Sequence, residues 1–270
     1  MSRILTNVSA RVAEPFRKAR NRWALAKLGG LMEFPSADGA IPITFDAADD
    51  CAKKCYAQQC PYEVVKWVDF VRRREFVPGR ILEIGSGKGG FSLFMKNLFP
   101  KASIFTVGMD EPETDRFSGP LRFFRRIGAK IAHDDPAKCS AGSRGDVVFI
   151  AKDLYSQGFE SELRSITGPE PMDLVVIDAG HWYEEAKWDV ERFTKFLRPG
   201  GLLFFHDINM YSGKPPRLDG SDPRLVDFWK RSNDRTCAHL WDDLPFPKKT
   251  EIRHSSREGI GLAFLDEAAG

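Results

Sequence analysis

The stretch that most constrains the fold of this chain is a short apolar run that leads directly into closely spaced glycines. Residues 80–84 have the composition of a buried strand, and residues 90–98 have the apolar spacing of a helix. Between them, Gly85, Gly87 and Gly89 allow a strand to turn tightly into a helix, and their missing side chains allow a ligand to lie against the backbone. This combination is typical of the first strand–helix unit of an open α/β sheet that binds a nucleotide-type cofactor.

Apolar runs alternate with helical patterns along the rest of the chain. Strands are expected at 80–85, 102–108, 147–150, 174–177 and 202–206, with closing strands at 237–241 and 260–265. Helices are expected just before the first strand, at 90–98, near 117–128, at 183–197 and at 223–231. Because strands that alternate with helices form parallel sheets covered on both faces, the sequence predicts an α/β fold. We expect a doubly wound, mostly parallel, seven-stranded Rossmann-like sheet over residues 59–270, preceded by an N-terminal helical extension.

The N-terminal part, residues 1–58, is predicted to be a basic helical arm followed by a loop. Its first 30 residues contain seven Lys or Arg side chains and one acid, Glu14, and apolar residues recur there at every fourth position. Organelle transit peptides share this basic character, but we favour a helical arm that packs on the core or on a second subunit. Packing on a second subunit would make the protein a homo-oligomer. Residues 35–42, which contain two prolines, are expected to form a loop.

The composition of the 270 residues is that of an ordinary globular protein. Apolar residues make up 42% and charged residues 29%, and the formal net charge of only +2 makes nucleic acid an unlikely partner. We expect no transmembrane segment and no secretory signal, because no apolar run has the required length. Five cysteines are an odd number, which indicates a reducing, cytoplasmic setting rather than a disulfide framework. Cys51, Cys55 and Cys60 match no standard zinc or iron–sulfur spacing.

Acidic residues follow the second and third predicted strands, at the edge where such a sheet binds its ligand. Asp110 lies about 20 residues beyond the glycine-rich loop, where an acid accepts hydrogen bonds from ribose hydroxyls. Asp153 follows the third strand and is a candidate acceptor for an adenine amino group. For each of these acids the alternative is a surface turn or a helix cap.

Two charged clusters follow the fourth and fifth predicted strands. Asp178 and His181 come after the fourth strand, and His206 and Asp207 come after the fifth. Ionisable groups are rarely placed at the edge of an apolar core unless something there uses them. Two histidines and two aspartates beside a cofactor loop therefore favour a functional site over structural packing.

The sequence resembles a known enzyme family at these same positions. Glu83 followed by the three alternate glycines resembles motif I of the class I S-adenosylmethionine-dependent methyltransferases. Together with Gln59, Pro61 and Glu63 and with residues 177–184, 199–201 and 206–207, it is similar to the branch that includes cephalosporin-hydroxylase-like proteins and O-methyltransferases of macrolide and rhamnosyl sugars. The likeness covers residues 59–265. It implies a methyltransferase domain that binds S-adenosylmethionine through Glu83, Gly85, Ser86, Gly87, Gly89, Asp110, Asp153 and Asp178.

The resemblance also implies a catalytic base and a metal site. Metal-dependent relatives bind Mg²⁺ with an Asp after the fourth strand and an acidic pair after the fifth, which Asp178 and Asp207 match, whereas His206 stands where a Glu is found. His181 occupies the position of the proposed general base in sugar O-methyltransferases. The implied reaction is O-methylation of a small-molecule hydroxyl on a sugar or natural product, with Mg²⁺ assistance left open. A nitrogen ligand from His206 would favour a transition ion over Mg²⁺.

Two other function classes fit parts of the sequence. Gly85, Gly87 and Gly90 also satisfy the dinucleotide fingerprint, so an NAD(P)-dependent oxidoreductase is one alternative, although it accounts neither for Glu83 nor for the histidine–aspartate clusters. A non-catalytic cofactor-binding module is the other, and it predicts that the loss of Asp178 has no consequence.

Overall fold

The computed structural model describes residues 32–36, 39–43, 61–87, 89–109, 124, 129–132, 147–212, 222–253 and 259–265. The predicted helical arm in the first 30 residues, most of the predicted helix near 117–128 and the cofactor-site candidate Asp110 lie outside this part. None of the helices that the structure describes is long and apolar enough to cross a membrane.

One eight-stranded sheet forms the centre of the described structure. The described strands, numbered along the chain, are β1 (Met32–Ser36), β2 (Gly39–Ile43), β3 (Arg80–Ile84), β4 (Ser103–Gly108), β5 (Lys130–Ala132), β6 (Val147–Ala151), β7 (Met172–Ile177), β8 (Leu197–His206), β9 (Lys249–Ile252) and β10 (Ile260–Phe264). The eight strands from β3 to β10 form this sheet, and β1 and β2 pair separately. Their order in the sheet is β5-β6-β4-β3-β7-β8-β10-β9. The strands from β5 to β8 in this order are parallel, and β10 is antiparallel to both of its neighbours. The mostly parallel α/β sheet is thereby confirmed.

Helices cover both faces of the sheet, as a doubly wound fold requires. They are α1 (Pro61–Arg73), α2 (Gly90–Leu98), α3 (Phe159–Thr167), α4 (Tyr183–Phe193), α5 (Pro223–Ser232) and α6 (Cys237–Asp243). On one face, Trp67 of α1 and Phe94 of α2 pack in a buried cluster with Ile81 of β3. On the other face, Phe159 of α3 and Val190 of α4 pack in a second cluster. The two apolar layers enclose a sheet whose central strands are buried on both sides.

The helix α1 illustrates how local sequence and packing agree. Pro61 stands at its first position, Glu63 lies in its first turn, and Arg72 and Arg73 lie in its last turn. This charge order complements the helix dipole, and a proline costs no hydrogen bond at the first position. The buried apolar residues of the helix recur at helical spacing, at Val64, Trp67, Val68 and Val71.

The winding of the sheet reverses between β3 and β7. From β3 the chain passes outward to β4 and then β6, and afterwards it returns to the other side of β3 to form β7 and β8. The loops after β3 and β7 therefore diverge to opposite faces and leave a crevice at the carboxyl ends of these two strands. Ligands of open α/β sheets bind at such a switch point.

The number and identity of the strands differ from the prediction in three places. The sheet has eight strands rather than seven, because β5 adds a short parallel edge beside β6. The segment predicted as a strand at 237–241 is the helix α6, whose residues Cys237, Leu240 and Trp241 bury one side of it against the core. The antiparallel strand expected there is β9, which pairs with β10. A mostly polar edge strand carries little apolar pattern, which is why β9 was not predicted.

Two further elements were not predicted. The helix α3 lies between β6 and β7. The loop expected at residues 35–42 contains most of an antiparallel hairpin, in which Met32 to Ser36 pair with Gly39 to Ile43. Prolines are tolerated in strands that lie at a sheet edge, and an Asp-Gly pair between two short runs is a hairpin pattern.

Candidate active site

The glycine-rich loop is fixed between the ends of β4 and β7. Gly85 has a φ of 96°, and a Cβ added there would lie 2.2 Å from the backbone oxygen of Asp178. The amides of Gly85 and Ser86 both donate to the carbonyl of Val107 on β4, at 3.0 and 2.9 Å. Only glycine combines this backbone conformation with this close approach. The loop and the end of β7 therefore form one continuous backbone surface at the switch point.

The rest of the loop leaves polar groups at the crevice. Gly87 has a φ of 48°, and the amide of Gly89 donates to the carbonyl of Ser86 at 2.7 Å. The Oγ of Ser86 is buried and has no hydrogen-bond partner among the described residues. A buried hydroxyl without a partner is costly unless a ligand or water completes it. This hydroxyl fits a polar ligand lying against the loop.

Glu83 lies just below the loop and is almost fully buried. Its Oε2 accepts hydrogen bonds from the hydroxyls of Ser92 on α2 and Thr106 on β4. Burial raises the pKa of the Glu83 carboxyl from 4.5 to about 7, although both hydrogen bonds lower it; the charge of Asp178 adds to the increase. One carboxyl oxygen of Glu83 thus links β3 to α2 and β4. Binding of a cofactor by Glu83 stays a prediction.

Asp153 follows β6, as predicted, but its carboxylate already has protein partners. Its Oδ1 accepts a hydrogen bond from the amide of Tyr155 at 2.9 Å. Its Oδ2 lies 2.7 Å from the guanidinium of Arg224, which also pairs with Asp222 at the start of α5. A ligand that uses Asp153 must share it with Arg224 or displace that side chain.

A buried histidine lies between the ends of β7 and β8. The side chain of His206, the last residue of β8, is 2% exposed. Its Nδ1 lies 3.0 Å from Asp178 Oδ1 and 3.2 Å from Asp207 Oδ1, and its Nε2 lies 3.7 Å from Glu63 Oε2 of α1. Neither ring nitrogen has an aligned hydrogen-bond partner in the described part of the chain, so the contacts are electrostatic rather than directed.

The charges of this cluster are strongly coupled. Burial alone lowers the pKa of the His206 imidazole, but the charge of Asp178 and the contacts with Asp207 and Glu63 raise it well above its ordinary value of 6.5. Burial raises the pKa of the Asp207 carboxyl, but His206 and His181 lower it below 3.8 overall. Asp207 also has a φ of 62°, a sparsely populated conformation for a residue with a side chain. Strain of this kind is concentrated at functional sites.

His181 lies on the loop after β7, at the open side of the cluster. Its Nδ1 lies 2.9 Å from the carbonyl oxygen of Ala179, and its Nε2 lies 3.7 Å from Asp207 Oδ2. Because a carbonyl can only accept, the neutral ring carries its proton on Nδ1 and keeps the lone pair on Nε2. The side chain is 48% exposed, so a ligand can reach that nitrogen.

Two carboxylates of α4 hold the backbone of the His181 loop. Glu185 Oε2 accepts hydrogen bonds from the amides of His181 at 3.0 Å and Trp182 at 3.4 Å. Asp189 Oδ2 accepts from the amide of Gly180 at 3.1 Å, and Glu185 Oε1 accepts from the Tyr155 hydroxyl at 2.9 Å. The loop that carries His181 is thus attached to the first turns of α4.

The predicted site residues after β7 and β8 lie together in the structure. Asp178, His206 and Asp207 each offer one possible ligand atom, and these atoms lie within 4.8 Å of one another. Sequence reasoning named Glu63 only as part of the resemblance and assigned it no role in the site, because α1 reaches the cluster from a distant part of the chain. It also missed the roles of Glu185 and Asp189, although a Glu in the first turn of a helix can accept from the amides that precede the helix.

The comparisons with known proteins agree with this arrangement. Residues 82–208 match the family model described as a methyltransferase domain, a segment that contains the glycine-rich loop and both clusters at the strand ends. No curated protein matches the chain.

Solved methyltransferase structures are similar to the chain. SAH-bound PaMTH1 from Podospora anserina has 15% identity and a TM-score of 0.50, over 92% of this chain and 96% of that chain. An O-methyltransferase family protein from Burkholderia thailandensis has 15% identity and a TM-score of 0.45, over 83% and 59%. MycE from the mycinamycin biosynthetic pathway, in complex with Mg, SAH and mycinamycin VI, has 16% identity and a TM-score of 0.46, over 83% and 56%. The chain thus spans little more than half the length of the last two.

The matched segment and the glycine-rich loop indicate the same kind of domain. Residues 82–208 match a methyltransferase domain, the kind of domain that enzymes of the EC 2.1.1 type contain. The methyl donor of this class is S-adenosylmethionine. The family match favours a methyltransferase domain over a nicotinamide-dependent oxidoreductase, which was one alternative interpretation of the loop.

Proposed function

We propose that the protein transfers a methyl group to a hydroxyl oxygen of a small molecule, such as a sugar or another natural product. The observation that carries this proposal is the geometry of His181. Its Nδ1 lies 2.9 Å from the Ala179 carbonyl oxygen, so the basic nitrogen of the neutral ring is Nε2, which lies 3.7 Å from Asp207 Oδ2. A hydroxyl acceptor must lose a proton during methyl transfer, and a positioned neutral imidazole can accept it.

S-adenosylmethionine supplies an electrophilic methyl group on a sulfonium, and the residues of the crevice are proposed to hold it. These residues are Glu83, Gly85, Ser86, Gly87, Gly89, Asp110, Asp153 and Asp178. The buried Oγ of Ser86 supports this placement, because it needs a polar partner. Met109, at the end of β4, is 59% exposed and offers an apolar surface that a purine ring would cover.

We further propose that His181, Asp178 and Asp207 form the catalytic centre. The in-line displacement needs an aligned acceptor more than it needs covalent help, so a fixed loop matters as much as a base. Glu185 and Asp189 fix that loop through its amides. Asp207 lies 3.7 Å from His181 Nε2 and would stabilise the imidazolium that forms.

A divalent cation is proposed at Asp178 and Asp207. Their carboxylate oxygens suit a hard ion such as Mg²⁺. The buried Nδ1 of His206 lies 3.0 Å from Asp178 Oδ1 and 3.2 Å from Asp207 Oδ1. When bound, such an ion lowers the pKa of a hydroxyl beside it. The predicted association of two chains through the basic arm stays a proposal, because that arm lies outside the described residues.

The test is methyl transfer with a ¹³C-methyl-labelled donor and a panel of acceptors. The panel contains sugars, phenols, aliphatic alcohols, amines, thiols and RNA, and nuclear magnetic resonance identifies the atom that receives the label. We expect label on oxygen of a small-molecule hydroxyl. Label on nitrogen, on sulfur or in RNA, with none on hydroxyls, would refute O-methylation.

A further inference from the structure

Glu63 is a third carboxylate beside His206, and it comes from a different part of the fold than the other two. It lies in the first turn of α1 and is fully buried. Its Oε2 lies 3.7 Å from Nε2 of the imidazole, whereas Asp178 and Asp207 lie near Nδ1. The two nitrogens of His206 thus face two separate sets of carboxylates.

This division assigns different roles to the two ring nitrogens. A cation between Asp178 and Asp207 would take the place of a proton on Nδ1, while the carboxylate of Glu63 would hold the remaining proton on Nε2. Nδ1 lies 3.0 Å from Asp178 Oδ1 and 3.2 Å from Asp207 Oδ1, without an aligned hydrogen-bond partner among the described residues. Histidines that bind metals commonly donate their second ring nitrogen to a carboxylate in this way.

A nitrogen ligand changes which ion such a site prefers. Mg²⁺ binds oxygen ligands almost exclusively, whereas imidazole suits first-row transition ions. Asp178, Asp207 and His206 together offer two oxygens and one nitrogen within 4.8 Å. An acid in place of His206 would give an all-oxygen set instead.

We propose that Glu63 is a positioning residue that fixes His206 as a nitrogen ligand, so that this site binds a first-row transition ion such as Mn²⁺ or Co²⁺ in preference to Mg²⁺. This inference rests on the divalent-cation site of the proposed function. It adds the class of ion and the residue of α1 that selects it.

The test is calorimetric titration of the metal-free protein with Mn²⁺, Co²⁺ and Mg²⁺, without methyl donor or acceptor. We expect Mn²⁺ to bind at least ~100-fold more tightly than Mg²⁺. Glu63→Ala should weaken Mn²⁺ binding by ~10–100-fold, the usual effect of losing the partner of a ligating histidine. Glu63→Gln should retain part of the affinity, because the amide oxygen still accepts from Nε2. His206→Glu should shift the preference toward Mg²⁺.

Three outcomes would overturn the proposal. The first is Mg²⁺ binding as tightly as Mn²⁺ to the wild type, and the second is unchanged Mn²⁺ affinity in Glu63→Ala. If Glu63→Ala does not fold, the proposal is decided by the Mn²⁺ affinity of Glu63→Gln and by the preference of the wild type for Mn²⁺ over Mg²⁺. The third is no binding of any ion, which also removes the cation from the proposed function. Titration of the same samples with S-adenosylhomocysteine reports separately on the methyltransferase site.

Discussion

His181 is the single residue whose replacement should slow methyl transfer most selectively. Its side chain is 48% exposed, and its ring nitrogens contact the Ala179 carbonyl and Asp207, both at the edge of the sheet. We predict that His181→Gln lowers turnover by ~10²–10⁴-fold, the usual effect of removing a general base, while cofactor affinity changes little. Initial rates of S-adenosylhomocysteine release measure the first quantity, and calorimetry measures the second.

His239 supplies the matched control for that experiment. It lies on α6, where its Nδ1 accepts from the amide of Thr236, and it is not among the groups around His206. His239→Gln should therefore retain most of the turnover. A wild-type rate in His181→Gln would show that His181 is structural and that another group removes the proton.

Glu83 should make the apoprotein less stable as the pH rises through neutrality. Burial raises its pKa in the folded state from 4.5 to about 7, so the folded protein binds this proton more tightly than the unfolded chain does. Stability from this group is therefore highest below pH 4.5, is lost as the pH rises toward 7, and stays low above it. The difference corresponds to about 3 kcal/mol.

Replacement of Glu83 by Gln should remove this pH dependence. Urea unfolding of the cofactor-free protein at pH 5 and pH 8 measures it, and the wild type should lose more stability between the two values than Glu83→Gln does. Glu191→Gln, a change at an exposed position of α4, should behave like the wild type. Equal losses in wild type and Glu83→Gln would mean that the carboxyl is already ionised at pH 5.

At the scale of elements, α4 sets the position of the catalytic loop. Glu185 accepts from the amides of His181 and Trp182, so its loss would let the loop shift. Because a displacement of ~1 Å can cost ~10²-fold in rate, we predict that Glu185→Ala lowers turnover by ~10–100-fold with a smaller change in the KM for the donor. Steady-state kinetics measure the turnover and the KM for the donor separately.

Glu185→Gln and Glu191→Ala are the controls for this prediction. The amide oxygen of Gln can still accept from the loop, so Glu185→Gln should retain most of the turnover. Glu191→Ala changes an exposed acid on the same helix and should have wild-type kinetics. A Glu185→Ala enzyme that melts at a lower temperature but keeps its turnover would contradict a positioning role.

Arg224 of α5 competes with the proposed cofactor for the carboxylate of Asp153. Arg224 holds the carboxylate of Asp153, which is proposed to accept from the adenine amino group. Exposed pairs of this kind add little to stability. Arg224→Ala should thus leave the melting temperature nearly unchanged and tighten S-adenosylhomocysteine binding by up to ~10-fold, measured by calorimetry.

Arg231→Ala, on the same helix, is the matched control for Arg224→Ala. It pairs with Asp227 and Glu184 rather than with a residue of the crevice. Arg231→Ala should leave cofactor affinity as it is. Weaker binding by Arg224→Ala would indicate that the guanidinium contacts the cofactor itself, which is contrary to a competition for Asp153.

At the scale of the whole molecule, parallel topology made much of the site predictable. Residues that follow parallel strands meet at one edge of the sheet, so Gly85, Asp178 and Asp207 could be placed together from the sequence. Glu63 could not, because its contact with His206 depends on how α1 packs across the sheet. Likewise, no sequence pattern shows that Arg224 reaches Asp153.

Element type was least predictable where apolar residues are few or ambiguous. The apolar pattern of residues 237–243 fits either a strand or a helix. The segment forms a helix, and its Trp241 stacks on Phe205 of β8. The polar strand β9 is recognisable only through its pairing with β10. Tertiary contacts, rather than local propensity, decide both cases.

The most direct test of the cofactor site is calorimetric titration of S-adenosylhomocysteine into the wild type, Gly87→Val and Gly200→Val. Both glycines have positive φ, of 48° and 69°, so each valine adds backbone strain. Gly87 lies in the glycine-rich loop, whereas Gly200 lies near the amino end of β8, opposite to the crevice. We predict tight binding by the wild type and by Gly200→Val, and a loss of at least ~100-fold in Gly87→Val with its circular dichroism spectrum unchanged. Undiminished binding by Gly87→Val would contradict the placement of the methyl donor against this loop.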